Sequence, residues 1–426
     1  MTYEEALQKI NDRLLFGVKP GLERIQAMCD ALGHPEKRTR FVHVAGTNGK
    51  GTTCTLIASV LRAAGYRTGL YTSPYVLEFR ERFRVNGEMI SKEELIEEVE
   101  RVAPVAERLE AAGETITEFE FITALAFDWF ARQNCDFVVL EVGLGGRSDA
   151  TNVIDVPEAA AIASVSFDHT AVLGDTLEQI AFEKAGIIKP GGDVALYGAN
   201  PACVVEKIST ICAERGAKLH VADESRMQVC GTSLEGTQLT WDGLPLTTPF
   251  TGAHQMHNAA TVLTVIEILR AKGVQISDAA LQQGFSTAYI AARMERLSEK
   301  PLVLLDGGHN PGCAAALHEV METHLNGRNI TAIMGIMSDK DSMRYLAEVA
   351  PRFSKIVTLA PHNPRALSAE ALADEARAFC GDVTAAGSID EALALSKVEG
   401  DAVLVICGSF FLASEIRDAA IEFYAK

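Results

Sequence analysis

The stretch RFVHVAGTNGKGTTCTLIASVLRAAG, residues 40–65, sets the reading of the whole chain. Its opening, 40–46, is an apolar and β-branched run of the kind that forms a strand buried on both faces, and 52–64 reads as the helix that follows. Between them lies a glycine-rich loop. Backbone amides in such a loop can converge on phosphate oxygens, and the helix N-terminus adds favourable positive potential. Lys50 is placed to reach the outer phosphates, with the Thr52 hydroxyl available to phosphate or metal. The spacing departs from GxxxxGK[ST] twice: Val44 stands in the place of the first glycine, and Gly51 separates the lysine from the threonine.

Outward from this unit, apolar runs alternate with helix-period segments. Strands are predicted at 67–73, 137–142, 160–167 and 194–198, with helices at 176–184 and 258–272. Without recognisable hairpin turns, these imply a parallel sheet covered on both faces. Short alternating segments between 218 and 250 predict a small antiparallel excursion. A second series follows, with strands at 302–305, 330–334, 355–359 and 402–407 and a weaker one near Val383. Its helices fall near 313–324, 342–349, 368–379, 389–396 and 411–424. The expectation is an α/β protein of two doubly wound domains, 1–297 and 298–426. Ligands in such sheets collect at the carboxyl ends of the strands.

Composition narrows the partners. The 426 residues carry a net charge of −18, which argues against nucleic acid or an anionic membrane surface as the main partner. The longest apolar stretch, 402–413, is too short to span a bilayer, and the start MTYEEALQKI lacks the features of a signal peptide. Nine scattered cysteines without a CxxC pair read as reduced thiols of a cytoplasmic protein.

Three strand ends carry metal-competent groups: Ser73, Glu141 and the pair Asp168–His169. An acid closing an apolar strand downstream of a phosphate loop can serve magnesium, whereas a histidine there is more often a hydrogen-bonded structural residue, imidazole being an unusual ligand for a hard cation. TEFEFITALAF, 117–127, reads as a helix with Thr117 as N-cap and Glu120 completing a capping box. Glu183 and Lys184 read as charge on a solvated helix face, and HQMHN, 254–258, as a helix start.

The loop GTNGKGT resembles the ATP loop of the Mur ligase superfamily, and of its folylpolyglutamate synthase/dihydrofolate synthase branch in particular. FGVKPGLERIQAMCDALGHPEKRTRFVHVAG, SPYVLEFRERFRVNGEMIS, TEFEFITALAF, EVGLGGRSDATN and DHTAVLGDTLEQIAFEKAGIIKP resemble that family's blocks, in its order. So do HQMHN, DGGHNP (306–311), MGIMSDKD, NPRALSAEAL and GSFFLASEIR, carrying the resemblance from Phe16 to Arg417. It implies a P-loop-type N-terminal domain that binds ATP and pterin, followed by a smaller Rossmann-like domain that brings glutamate. By residue, it makes Ser73, Glu141 and His169 magnesium ligands. Asn48, Gly49, Lys50, Gly51, Thr52, Asn258, Arg293 and Asp306 become ATP-binding. It places the pterin near Thr117, Glu118, Phe119 and Glu120 and near Ser148, Asp149 and Ala150. Lys184, His309 and Lys50 take catalytic roles, Lys184 as a carbamylated lysine. Where the family has WPGR, this chain reads Ile290-Ala-Ala-Arg293, a departure that bears on the hinge's shape rather than the arginine's charge.

The resemblance thus implies a monomeric, ATP- and magnesium-dependent ligase adding L-glutamate to tetrahydrofolate, and also to dihydropteroate, through an acyl phosphate. A cell-wall amino-acid ligase would share the loop and the EKAGI lysine, but would carry a uridine-nucleotide domain ahead of a loop that here has only about 40 residues before it. Nucleotide-hydrolysing switches and non-catalytic folate or nucleotide binders are the other readings. Strict dependence of ADP release on L-glutamate separates them.

Overall fold

The computed structural model describes residues 1–17 and 19–425, leaving out Val18, which lies within the first resembling block, and Lys426. Eight strands form the first sheet: β1 (Arg40–Ala45), β2 (Thr68–Tyr71), β3 (Phe83–Val85), β4 (Glu88–Met89), β5 (Phe137–Glu141), β6 (Ala159–Ile162), β7 (Asp193–Leu196) and β8 (Lys218–Val221). Their order is β4-β3-β2-β5-β1-β6-β7-β8. All pairs are parallel except β2–β3 and β3–β4. That antiparallel edge corrects the expectation of a wholly parallel sheet. Its signal was present as Asn86-Gly87, both at positive φ in a two-residue hairpin loop.

Side-chain alternation explains why the central strands read as unbroken apolar runs. Phe137 and Val139 of β5 join one core layer and Val138 and Leu140 the opposite one, so both faces are covered. The chain winds from β1 to β2 on one side, returns to β5, and crosses to β6 on the other. A crevice therefore opens at the carboxyl end of β1, where the 46–49 loop lies. Register fixes what meets it: Val44 pairs with Glu141, and Ala45 with Ile162.

The excursion is a three-stranded antiparallel sheet of β9 (Met227–Ser233), β10 (Gly236–Trp241) and β11 (Leu244–Thr248). The helix Ala253–Ala271 then packs beside the helix that follows the loop, Lys50–Ala63. The second sheet comprises β12 (Glu295–Glu299), β13 (Leu302–Leu305), β14 (Ile330–Met334), β15 (Lys355–Leu359), β16 (Val383–Ala386) and β17 (Val403–Cys407), ordered β12-β13-β17-β14-β15-β16. Only β12 runs antiparallel to its neighbour. The expected boundary between 297 and 298 falls inside β12, whose pairing carries the whole strand onto the second sheet. Among the described residues, no helix is long and apolar enough to cross a membrane, and all nine cysteines are unpaired.

The helix Lys50–Ala63 is fixed from behind by the helix Asp278–Ser286, which approaches closely at Gly284. A Cβ there would sit 2.4 Å from Val60 Cα, against backbone that cannot rotate away. Gly284→Ala should therefore destabilise the protein by about 1–3 kcal/mol despite alanine's better helix propensity. Urea unfolding checks this, and a neutral or stabilising result would show that the two helices can part.

Candidate active site

Gly49 caps the helix Lys50–Ala63 at φ 83°, a left-handed conformation that favours glycine. A Cβ at Gly49 would lie 2.3 Å from Asn258 Oδ1, so the loop is seated directly on that side chain. Lys50 folds back over the loop, its Nζ donating to the Gly46 carbonyl at 3.1 Å and the Thr47 carbonyl at 3.2 Å. Lys184 reaches the same Gly46 carbonyl from the helix Leu177–Lys184, at 2.8 Å.

This corrects the solvated-face reading of Lys184, which is only 3% exposed. The helix that carries it is pressed under the loop 143–149, where Arg147 N donates to the Glu183 carbonyl and a Cβ on Gly146 would lie 2.9 Å from the Lys184 carbonyl. Burial, and then the nearby Lys50 charge, push the Lys184 amine down to about 7.

Two adjoining chambers are lined by the expected residues. The larger, about 640 Å³, brings together Lys50, Ser73, Glu141, His169, Lys184 and His309. Thr117, Phe119, Glu120, Ser148, Asp149 and Ala150 also line it. The smaller, about 220 Å³, holds Thr52, Asn258 and Asp306. Asn48, Gly49 and Arg293 line both. Glu118 stands apart from the lining and faces Arg82 at 4.0 Å.

Several of these side chains have their polar atoms engaged by the fold. Glu120 completes the capping box with Thr117 and accepts from Arg24 at 2.9 Å. Asp149 accepts from Leu144 N and from both Thr151 N and Oγ1. Asp306 holds its own loop, accepting from Gly308 N at 2.8 Å and Met294 N at 3.1 Å. These three carboxylates shape the walls.

Glu141 differs. It is buried, accepts the Ser73 backbone N–H at 3.1 Å, and makes no ion pair within 4 Å among the described residues. Burial raises its pKa, while Lys50 pulls it back down. A buried carboxylate open to the cleft and short of cationic partners suits a hard divalent ion. His169, in left-handed backbone at φ 50°, presents its ring to the same cleft. Burial foremost, with the charges of Lys340, Lys50 and Lys184, lowers its pKa despite Asp168 beside it, so the ring stays neutral and able to ligate. An oxygen donor such as Glu141 suits magnesium, although among the described residues no group of three or more His, Cys, Asp or Glu gathers as a ready-made metal cluster.

From the second domain, His309 packs edge-on to Phe410 and is pushed by burial down to about 4. Arg293 lies over the Phe410 ring at 4.7 Å. The missing glycine before it changes little in shape, because Ala292 itself adopts φ 52°. Its amide donates to Glu295 and its carbonyl accepts from Gly307 N, which hold that conformation. Sequence reading missed Arg82 and Arg84, whose Nε atoms are buried beside the larger chamber without a partner. It also missed His254 on the smaller one, with an unpartnered Nδ1. Both arginines sit in a quoted block, but spacing alone did not show which side chains turn inward.

The Mur ligase middle domain matches residues 44–266, and the Mur ligase glutamate ligase domain matches 292–410. The chain is 37% identical to a Bacillus subtilis dihydrofolate synthase/folylpolyglutamate synthase, over 97% of this chain and 98% of that one. It is 34% identical to the folylpolyglutamate synthase of Lacticaseibacillus casei, covering 99% of both. Among solved structures, Mycobacterium tuberculosis folylpolyglutamate synthase complexed with ADP and AMPPCP superposes with a TM-score of 0.88 at 29% identity, covering 98% of this chain and 99% of that one. E. coli FolC in complex with DHPP and ADP gives 0.85 at 30%, covering 100% and 99%.

The depressed Lys184 amine sets a pH test. Between about 7 and its ordinary 10.5, the unfolded chain holds a proton that the folded chain does not, so folded stability rises with pH across that window. Below it both states are protonated and the penalty is full. In carbon-dioxide-free buffer, Lys184→Met should therefore exceed the parent most in stability near pH 6.5, with the gap closing towards pH 10. A gap that stays constant over that range in urea titrations would contradict a desolvated amine.

Proposed function

The chain belongs to the folylpolyglutamate synthase/dihydrofolate synthase family of Mur ligases, and from that premise we propose how its residues divide the work. It is an ADP-forming ligase that uses ATP to join L-glutamate to a folate. The observation that carries the residue assignment is the convergence of the phosphate loop, Glu141, His169 and Lys184 from one domain with His309 and Arg293 from the other on a single cleft.

The smaller chamber takes the adenosine, with Asn258 toward the base and Asp306 toward the ribose, and Arg293 spans the two chambers. The loop amides at Asn48, Gly49, Lys50 and Gly51, with Thr52, hold the phosphates. Folate or dihydropteroate enters the larger chamber against Thr117, Phe119 and Ala150, and each is read as an acceptor of glutamate. Its carboxylate attacks the γ-phosphorus, giving an acyl phosphate and ADP; the glutamate amine then attacks the activated carbonyl and phosphate leaves. Lys50 swings from the Gly46 carbonyl to the transferred group and offsets its charge. Ser73, Glu141 and His169 would hold magnesium, which supplies further charge neutralisation at the phosphates when bound. His309, kept neutral by burial, stands at the second domain's edge of the cleft, where the glutamate amine would meet the activated carbonyl. Both chambers are completed within one chain, which supports a monomer, and unpaired thiols fit a cytoplasmic setting.

Lys184 is carbamylated in this reading. Its neutral amine attacks carbon dioxide, forming an N–C bond and releasing one proton, and the remaining N–H still donates to Gly46. The resulting anion is attracted by Lys50, whose charge disfavours the protonated amine.

The test is ADP release with dihydropteroate and tetrahydrofolate in parallel. Release should depend strictly on L-glutamate with either acceptor; glutamate-independent hydrolysis would return the switch reading. In the same assay Lys50→Ala should lose at least about 100-fold in rate. A variant retaining most of its turnover would show that the loop does not act on the transferred phosphoryl. Glu141→Gln should raise the magnesium concentration needed for half-maximal rate about tenfold or more. An unchanged magnesium curve in folded protein would remove Glu141 from the metal site.

A further inference from the structure

Asn310 belongs to the second domain yet makes three of its side-chain hydrogen bonds to the first. Its Oδ1 accepts from Cys313 N at 3.0 Å, capping the helix Pro311–His324. The same oxygen accepts from Asn48 Nδ2 at 3.3 Å. Its Nδ2 donates to Asn48 Oδ1 at 2.9 Å and to Asp168 Oδ2 at 3.3 Å. An amide has two donors and two acceptor lone pairs, so every capacity of this 3%-exposed residue is filled. The helix cap fixes the orientation, because a flipped amide would set its NH₂ against the Cys313 N–H.

The seam closes tightly around these contacts. A Cβ on Gly312 would lie 3.0 Å from Asn48 Nδ2, and the Cys313 thiol donates to Asn48 Oδ1 at 3.5 Å. Asp168 receives a second contact from the second domain, Lys340 Nζ at 2.9 Å. It also accepts the backbone N–H of His169. Asn48 therefore directs its side chain at the other domain rather than into the phosphate space, leaving its backbone for the nucleotide.

We propose that Asn310, seconded by Lys340, is a positioning residue that couples apposition of the two domains to completion of the ATP site. Through Asn48 it fixes the phosphate loop, and through Asp168 it fixes the turn that presents His169. Neither bond forms unless the domains are together, so a nucleotide held by a separated first domain meets a misaligned site. The catalytic consequence rests on the ligase reading above, while the clasp itself does not.

Asn310→Ser keeps a helix-capping oxygen but loses the amide bridge. Its melting midpoint should stay within about 2 °C of the parent, while kcat for glutamate-dependent ADP release falls at least about tenfold. Lys340→Met should act similarly. The double variant should lose less than the product of the single losses, because both act through Asp168. With a non-hydrolysable ATP analogue bound, small-angle scattering should show the parent closed and the double variant with a larger radius of gyration. Parental kcat in folded Asn310→Ser, or parental scattering in the double variant, overturns the proposal. If the parent shows no glutamate-dependent release, the ligase reading falls and scattering alone decides the clasp.

Discussion

Two lysine side chains share one backbone carbonyl, and the active site is organised around that crowding. Lys50 and Lys184 both donate to Gly46, one from the helix after the phosphate loop and one from a helix more than a hundred residues later. Two ammonium groups so close together, one of them buried, cannot both be comfortably charged. The fold eases this by desolvating Lys184, which lowers its amine to about 7. That leaves Lys50 lying over the loop and Lys184 buried beneath it as an amine of lowered basicity. Glu141, buried at the end of the neighbouring strand, is raised by that burial and drawn back down by the Lys50 charge.

The sheet topology makes such an arrangement possible. Parallel strands bring distant segments to one edge, and the switch point at the end of β1 leaves a crevice among them. Glu141 arrives by register with Val44, and His169 by the loop after β6. The second domain contributes His309 from the loop after β13 and Arg293 from just ahead of β12, so residues of both domains line the cleft. Asp149, Glu120 and Asp306 show the other use of buried acids: each holds a loop or cap whose shape the ligands then meet.

Much of this was legible before any coordinates. Strands such as 302–305, 330–334 and 355–359 coincide with the observed elements because a strand covered on both faces needs apolar residues at every position. The loop and the strand-end acids followed from the same logic. The β3–β4 hairpin was overlooked although Asn86-Gly87 announced it, because strands this short carry almost no periodicity. Lys184 was misread for a physical reason: a helix of eight residues shows little amphipathic pattern, and its burial comes from a loop forty residues upstream. Asn310 offers no sequence signal for its second role, since a capping asparagine looks the same whether or not another domain reaches it.

The central claim, that crowding and burial make Lys184 a neutral amine open to carbon dioxide, has a direct measurement. Protein equilibrated with carbon-13-labelled bicarbonate should show one carbamate carbon resonance by NMR. That resonance should be absent from Lys184→Met and should persist when Lys50 is intact. Identical spectra from parent and Lys184→Met would mean that the buried amine stays unmodified and that the shared carbonyl serves structure alone.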